Sequence, residues 1–188
     1  MSAAPQRFDL REIAPQPWKN GAGVTREIAF GGASAGDFDW RLSVAEVARD
    51  APFSAFPGID RCIVLLRGAG MRLRSPDGTL DHALTVPLDP FRFSGDVALD
   101  ATLVDGPCRD FNVMTRRGAW RAEVSVQRGQ GLLSPADVTM VMCVDGNWTV
   151  DGVTLEPMQG LLLAIPPAAG WGEGASLLAV RLLEDRSP

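Results

Sequence analysis

A small set of charged, hydroxyl and amide side chains lies within or beside apolar, strand-forming segments. The set comprises Lys19, Asn20, Thr25, Glu27, Arg41, Ser43, Arg61 and Asn112. Arginine is a fixed cation whose planar guanidinium matches the geometry of a carboxylate or a phosphate. Hydroxyl and amide groups supply further hydrogen bonds that can orient such a ligand. These residue types therefore predict a binding site for a small anionic molecule.

Lys19 and Asn20 lie between Trp18 and Gly21, in a segment that predicts a tight turn. Lys19 is the single lysine among 18 lysine and arginine residues, which favours a specific role for it. Both side chains could donate hydrogen bonds at the mouth of a pocket, with Trp18 shielding the ligand from water. The alternative is a loop that only closes the fold, in which Asn20 satisfies backbone groups.

Thr25, Arg26 and Glu27 begin the next apolar segment. Neighbouring residues of a strand point to opposite faces, so Thr25 and Glu27 share one face and Arg26 lies on the other. We expect Glu27 to face the interior and to pair with an arginine, because a buried, unpaired carboxylate costs on the order of several kcal/mol. Alternatively, Glu27 and Arg26 are both members of ordinary structural ion pairs.

Two later segments alternate clearly between apolar and polar residues. In the first, Arg41 and Ser43 lie on the face opposite Trp40 and Leu42, and in the second Asn112 lies opposite its apolar neighbours. Either polar face could simply be solvated. Together, however, Arg41, Ser43, Arg61 and Asn112 could converge on one carboxylate. Three phenylalanines nearby are predicted to belong to the core rather than to a ligand platform: Phe53, Phe56 and Phe93.

Frequent glycine and proline residues separate short apolar runs, which is typical of an all-β protein. Ser134 and Pro135 predict one turn of helix over residues 134–138. The predicted strands cover residues 24–30, 38–47, 61–66, 71–74, 98–104, 109–115, 122–126, 139–144, 160–165 and 177–183.

Composition argues against several classes of protein. The net charge of −5 and the absence of a basic run disfavour nucleic acid binding. The longest apolar runs are too short to cross a bilayer, and the N-terminus lacks the apolar core of a secretory signal, so we expect a cytoplasmic protein with no membrane partner. Three widely spaced cysteines predict reduced thiols. A lone histidine, His82, cannot supply a multi-histidine metal site.

An internal repeat spans residues 60–183, with an apolar strand, a glycine turn, a hairpin and a closing strand in each copy. The pattern resembles the cupin barrel, in which two antiparallel sheets enclose one small ligand. It implies two cupin-like (RmlC-type) antiparallel barrels in one chain, with a pocket in residues 1–118 and a degenerate, structural barrel in residues 119–188. Where metal-binding cupins carry a glutamate, this chain has Arg61, and we expect no metal and no cofactor.

The segment PWKNGAGVTREIA, residues 17–29, resembles the signature of the HutD/Ves family. Further blocks that resemble the family follow in order: WRLSVAEV at 40–47, PFSAFPGIDRCIVLLRGAG at 52–70, PFRFSGD at 90–96 and RDFNVMTRRG at 109–118. One departure is Ala22, where many members have glycine. The resemblance implies a metal-free relative of the cupins, placed beside bacterial histidine utilisation, that binds a pathway metabolite such as formylglutamate.

Three functions follow as hypotheses. The first is a small-molecule binding protein with a regulatory role and no turnover. The second is a metal-independent isomerase or hydrolase of a formyl or formimino compound, with Glu27 or Lys19 as the acid–base group and Arg61 or Arg41 holding the anion. The third is an interaction protein with a vestigial pocket, whose second barrel serves as support or as a surface for homodimerisation.

Overall fold

The structure is a computed structural model that describes residues 5–34, 36–131, 134–164 and 170–186. These residues form strands and connecting turns, and they contain no helix long and apolar enough to cross a bilayer. In chain order the strands are β1 Gln6–Asp9, β2 Gln16–Pro17, β3 Gly23–Ser34, β4 Asp37–Val47, β5 Ala51–Phe53, β6 Ile59–Arg67, β7 Met71–Arg74, β8 Asp81–Leu84, β9 Pro90–Ser94, β10 Leu99–Leu103, β11 Cys108–Arg116, β12 Trp120–Gly131, β13 Val138–Asp145, β14 Trp148–Val150, β15 Val153–Leu155, β16 Gln159–Leu163 and β17 Gly170–Glu184.

All strand pairs of the described residues are antiparallel, so the all-β, antiparallel prediction is confirmed. The predicted turn of helix at 134–138 is wrong. Residues 134–136 have no regular structure, and β13 begins at Val138. The physical reason is that the backbone N–H of Asp137 donates to the carbonyl of Leu182, which extends the strand ladder instead of closing a helical turn.

The chain divides into two compact units. The N-terminal unit is Ala14–Ala119, and the C-terminal unit comprises the described residues within Met1–Ile13 and Trp120–Pro188. The predicted division at residue 118 lies one residue from the observed boundary. The prediction also placed the first residues of the chain in the N-terminal unit, whereas residues 5–13 belong to the C-terminal unit because β1 pairs with β16. Arg7 Nη2 also donates to Gln159 Oε1 over 2.7 Å. The short N-terminal strand thereby covers an otherwise free sheet edge, the kind of edge that promotes aggregation.

The N-terminal unit contains a six-stranded and a four-stranded sheet. The larger has the order β2-β3-β4-β11-β6-β9, and the smaller has the order β5-β10-β7-β8. Their apolar side chains form one core cluster, to which the larger sheet contributes Ile63 and Leu65 and the smaller sheet Leu73 and Leu99. At about 25 cal/mol per Å2 of apolar surface, burial of side chains of this size is the main stabilising contribution.

The C-terminal unit is one seven-stranded sheet with the order β1-β16-β13-β17-β14-β15, and β12 pairs with β17 along its length. Its own core cluster is apolar throughout. It consists of Val141, Cys143, Trp148, Val150, Leu155, Leu161, Leu163, Ala175, Leu177 and Ala179, with Val153 packed against it.

Strand β4 carries the alternation predicted from its sequence, but neither of its faces is solvated. Leu42 and Val44 are buried on one face, and Ser43 and Ala45 are buried on the other. Ser43 therefore lies inside the protein and Arg41 is largely buried beside it, which requires partners for their hydrogen-bonding groups.

Candidate functional site

A cavity of about 710 Å3 lies within the N-terminal unit. Its lining comes from the strands β2, β3, β4, β6 and β11, from β5 and the loop that follows it, and from the turn after β2. Of the eight residues predicted from the sequence, seven line this cavity: Lys19, Asn20, Thr25, Arg41, Ser43, Arg61 and Asn112. The eighth, Glu27, is not part of the lining and contacts Arg41 instead.

The register of the larger sheet explains why these residues meet. On β11, Asn112 lies opposite Ser43 of β4 and Ile63 of β6. Met114 of β11 lies opposite Arg41 on one side and Arg61 on the other. Two adjacent rows across three strands therefore place the polar side chains on a single face of the sheet.

Arg61 is the most deeply buried cation of the described residues, with 7% of its surface exposed. Its Nη2 donates to Oδ1 of Asn112 over 2.7 Å. The guanidinium carbon lies 5.8, 5.5 and 5.0 Å from the ring centres of Phe53, Phe56 and Phe93. Such contacts favour a cation electrostatically, and the rings also restrict its side-chain rotamer. Phe53 and Phe93 are core residues as predicted, Phe56 is partly buried against a second apolar cluster, and all three surround the arginine.

A chain of hydrogen bonds continues from Arg61 into the protein. Nδ2 of Asn112 donates to Oδ1 of Asp110, whose side chain is fully buried. Burial raises the pKa of Asp110 from 3.8 to about 7, against the opposing effects of Arg61 and Asn112. Burial lowers the pKa of Arg61 from 12.5 to about 10, so this side chain stays charged at neutral pH.

Asp110 is the residue that the sequence reasoning missed. It lies two positions before Asn112 on the same face of the strand, so the alternation contained the necessary signal. Aspartate is mostly a solvated residue, and for that reason Asp110 did not stand out.

Arg41 is paired with a carboxylate at the wall of the cavity. Its Nε donates to Oε2 of Glu27 over 2.7 Å, and the two side chains are 18% and 15% exposed. Glu27 therefore pairs with an arginine as expected, and Arg26 pairs with Glu46 on the other face. Because Glu27 neutralises Arg41, Arg61 and Lys19 are the cations of the described cavity lining that no carboxylate contacts directly.

The turn of residues 18–21 forms one edge of the cavity. Gly21 has a φ of +66° and its N–H donates to the carbonyl of Trp18 over 2.9 Å. Oδ1 of Asn20 accepts from the N–H of Ala22 over 3.0 Å. The side-chain oxygen of Asn20 thus satisfies a backbone group, as the loop alternative required, while the side chain also lines the cavity.

Trp18 fixes this edge against the sheet. Its Nε1 donates to Oγ1 of Thr25 over 2.8 Å, and its ring meets Phe53 edge-on at 5.8 Å. A Cβ at Gly23 would lie 3.3 Å from the Trp18 ring and 2.4 Å from the carbonyl of Glu46, so only glycine fits there. Thr25 therefore holds the tryptophan through its hydroxyl and also lines the cavity.

The donor set suits an anion and does not suit a metal ion. No carboxylate, histidine or cysteine is among the described residues that line the cavity. Within the described ranges there is no group of three such side chains close enough to share a metal. A cation next to Arg61 would be repelled, whereas a carboxylate would meet a charge and a fork of N–H donors. His82, the histidine of the sequence, lies on β8 and stacks on Phe91.

Comparison with known proteins identifies the family. The sequence model of the HutD family matches residues 10–173. The chain belongs to the HutD family. A conserved protein of unknown function from Pseudomonas aeruginosa PAO1 is 30% identical, with a TM-score of 0.85 over 96% of this chain and 100% of that one. HutD from Pseudomonas fluorescens SBW25, solved in a formate condition, is 30% identical, with a TM-score of 0.86 over 96% of this chain and 99% of its own.

A more distant neighbour resembles this chain in its fold. The cupin 2 conserved barrel domain protein from Leptotrichia buccalis has a TM-score of 0.58 and 13% identity, covering 98% of this chain and 97% of that protein. At this identity the likeness concerns the fold alone. Together with the antiparallel sheets described above, it makes the fold cupin-like.

Proposed function

We propose that this HutD-family chain binds a small carboxylate at Arg61 and acts as a regulatory binding protein in histidine utilisation. The observation that carries the proposal is the state of Arg61. This cation is buried in a cavity, restrained by Asn112 and three phenylalanine rings, and contacted directly by no carboxylate of the described residues. A prepositioned guanidinium of this kind loses little side-chain entropy when it binds a ligand.

The ligand would bind in a defined manner. One carboxylate would accept hydrogen bonds from Arg61, and Ser43 and Asn112 lie in the adjacent row to orient it. Lys19 is exposed at the turn and would interact with a second anionic group of a larger ligand. Formylglutamate, which has two carboxylates, fits this distribution of charge and is the ligand we propose first.

The arrangement favours binding over catalysis. Glu27 and Lys19 were the two expected acid–base groups. Oε2 of Glu27 accepts a hydrogen bond from Arg41 and its side chain does not line the cavity, whereas Lys19 lines the cavity and would interact with a second anionic group of the ligand. We also propose that the protein acts in the cytoplasm, that each unit is a cupin-type barrel, and that the C-terminal unit is structural and offers a surface for homodimerisation.

Thermal unfolding with histidine-pathway acids tests the proposal. The panel consists of urocanate, formiminoglutamate, formylglutamate, glutamate and formate. A ligand at about 100 times its Kd stabilises the folded state by about 2.7 kcal/mol. For a chain of this length that corresponds to a rise in Tm of about 5–10 °C. We expect such a rise with formylglutamate, and a smaller rise with formate.

Arg61→Ala should abolish the rise, since the cation that holds the carboxylate is gone. Arg72→Ala is the matched control, because Arg72 is an exposed arginine of the same unit that pairs with Asp81. No rise with any of the five acids, or an equal rise in Arg61→Ala, would refute the proposed site. If one of the acids binds, its incubation with the protein, followed by chromatography, would reveal any turnover.

A further inference from the structure

The buried carboxyl of Asp110 does not contact the ligand in the proposed binding mode. It is not part of the cavity lining, yet it is connected to Arg61 through one residue. Asn112 accepts from Arg61 with its carbonyl oxygen and donates to Asp110 with its amide nitrogen. This orientation of the amide matches both charges, since the opposite orientation would place its NH2 against the guanidinium and its oxygen against the carboxylate.

Few other groups around Asp110 are charged or titratable. On its own strand, the nearest titratable group on the same face is the thiol of Cys108, whose pKa burial raises to about 12, while Asn112 is a neutral hydrogen-bond partner. From β4 and β6, its partners in register are the apolar Ala45 and Leu65. From β6, Arg61 acts on Asp110 through its charge, and Arg41 of β4 acts on Arg61 in turn.

The four-stranded sheet adds no charge to this part of the interior. It contributes apolar residues such as Leu73 and Ala101 to the core cluster that includes Cys108. Oδ2 of Asp110 is buried and has no hydrogen-bond partner. Arg61 is therefore the principal group that stabilises the ionised form of Asp110, and Oδ2 is the atom that can take a proton.

An anion at Arg61 changes this balance. The ligand would compensate the positive charge that otherwise stabilises the Asp110 carboxylate, and would add a negative charge nearby. Both effects favour the neutral acid, because an uncompensated buried charge is expensive. By linkage, a proton on Asp110 must favour the anion to the same extent that the anion favours the proton.

We propose that the cavity takes up its anion together with one proton, which passes from solvent to Oδ2 of Asp110, with Asn112 connecting the acid to Arg61. The proposal rests on the proposed carboxylate site. It makes Asp110 a positioning residue that also sets the pH range in which the protein binds its ligand. Binding would be strong when Asp110 is protonated and would weaken as the pH rises.

The pH dependence has a definite sign and range. Free carboxylic acids such as formate are fully ionised above about pH 6, so the ligand itself contributes no titration there. The pKa of Asp110 in the free protein is about 7, and the bound anion raises it further. Affinity should therefore be constant below about pH 6 and should fall by up to about tenfold per pH unit above pH 7.

Calorimetric titration of the folded full chain with formate and with formylglutamate, at pH 6, 7, 8 and 9, tests this. At each pH, two buffers of different ionisation enthalpy give the number of protons taken up. We expect close to one proton at pH 8 in the wild-type protein. Asp110→Asn, which keeps the acceptor for Asn112, should show no proton uptake and an affinity independent of pH. Asp100→Asn, an exposed aspartate on β10, is the matched control and should behave as wild type.

The outcomes separate this inference from the proposed function. Binding without proton uptake, or an Asp110→Asn protein that keeps the wild-type pH dependence, would overturn the inference and leave the carboxylate site intact. Failure of the wild-type protein to bind either acid at any pH would overturn both. The carboxyl 13C signal of Asp110 in the free protein provides a readout that needs neither ligand nor variant, since titration at its ordinary value near 3.8 would also overturn the inference.

Discussion

The interiors of the two units differ in one respect that matters for function. Both charged residues that are buried among the described positions, Arg61 and Asp110, belong to the N-terminal unit. The C-terminal unit buries Thr139 and Ser176 as its polar residues and otherwise has an apolar core around Trp148. Both units are built from antiparallel strands, so the difference lies in which side chains occupy the inward positions.

A candidate binding site arises within a sheet when polar side chains occupy its inward positions. In the N-terminal unit two rows of inward positions carry Arg41, Ser43, Arg61 and Asn112, and these side chains surround a cavity. In the C-terminal unit the residues of β13 and β17 that join the core are valine, cysteine, leucine and alanine. A fold supports many functions, and here the candidate site follows from a few polar residues on one sheet.

Removal of Arg61 should produce the largest effect on the free energy of unfolding. The N-terminal interior would then resemble the C-terminal one only in part, because the buried Asp110 remains. Loss of Arg61 leaves the buried Oδ1 of Asn112 without its donor, which costs about 1–3 kcal/mol, and it removes the positive charge that stabilises the ionised form of Asp110. Asp110 has a raised pKa, so its favourable contribution is complete below pH 3.8 and is lost as the pH rises through about 7. Without Arg61 that loss continues to higher pH, by about 1.4 kcal/mol per pH unit.

Urea unfolding of Arg61→Ala and wild type at pH 5, 7 and 9 measures this effect. The stability difference should increase above pH 7. The double variant Arg61→Ala, Asp110→Asn is the control, because it removes both charges and should show no increase between pH 7 and 9. A difference that is constant from pH 5 to 9 would show that Arg61 and Asp110 are not coupled.

A change in the C-terminal core should affect stability without affecting binding. Leu155 is fully buried in the apolar cluster, and truncation of a buried leucine to alanine costs about 2–5 kcal/mol. We expect Leu155→Ala to lower the urea midpoint strongly and to leave the affinity for formylglutamate unchanged at 20 °C. Thr154→Ala, an exposed neighbour on the same strand, is the control. A matching loss of affinity in Leu155→Ala would contradict a purely structural role for this unit.

The long strands could be predicted from the sequence because their apolar residues are continuous or alternate. Each of the ten predicted segments overlaps a strand, although residue 165 lies outside the described residues. The strands that were missed are short, such as β2, β5, β14 and β15. Their two or three residues carry no periodic pattern, and pairing with a longer neighbour is what makes them strands.

The candidate site could be predicted in its members but not in its geometry. Residue types and alternation placed Arg41 and Ser43 on one polar strand face and Asn112 on another, and they suggested that these residues and Arg61 converge, but they left open whether the faces are solvated. They could not reveal that β11 lies between β4 and β6, which brings the two arginines to either side of Met114. Nor could they reveal the burial of Asp110, because a strand pattern does not distinguish a solvated face from a second buried one.

Replacement of Glu27 by a neutral residue should produce the smallest of the predicted changes in free energy. It would also increase the difference in charge between the interiors of the two units. Glu27→Gln keeps an oxygen that can accept from Arg41 Nε but removes the negative charge beside the cavity. The charge of Arg41 is then free to act on the ligand, so affinity for formylglutamate should rise about twofold to tenfold, or at most about 1.4 kcal/mol.

Calorimetry at pH 6 measures the Glu27→Gln effect, and Glu46→Gln is its matched control. Glu46 lies on β4 and pairs with Arg26 and Arg109, and it does not line the cavity. The same variant also distinguishes a binding protein from an enzyme. An acid–base role for Glu27 requires that its loss abolish turnover, whereas a charge that merely offsets Arg41 should, when removed, tighten binding. Weaker binding in Glu27→Gln would mean that the ion pair positions Arg41 for the ligand rather than competing with it.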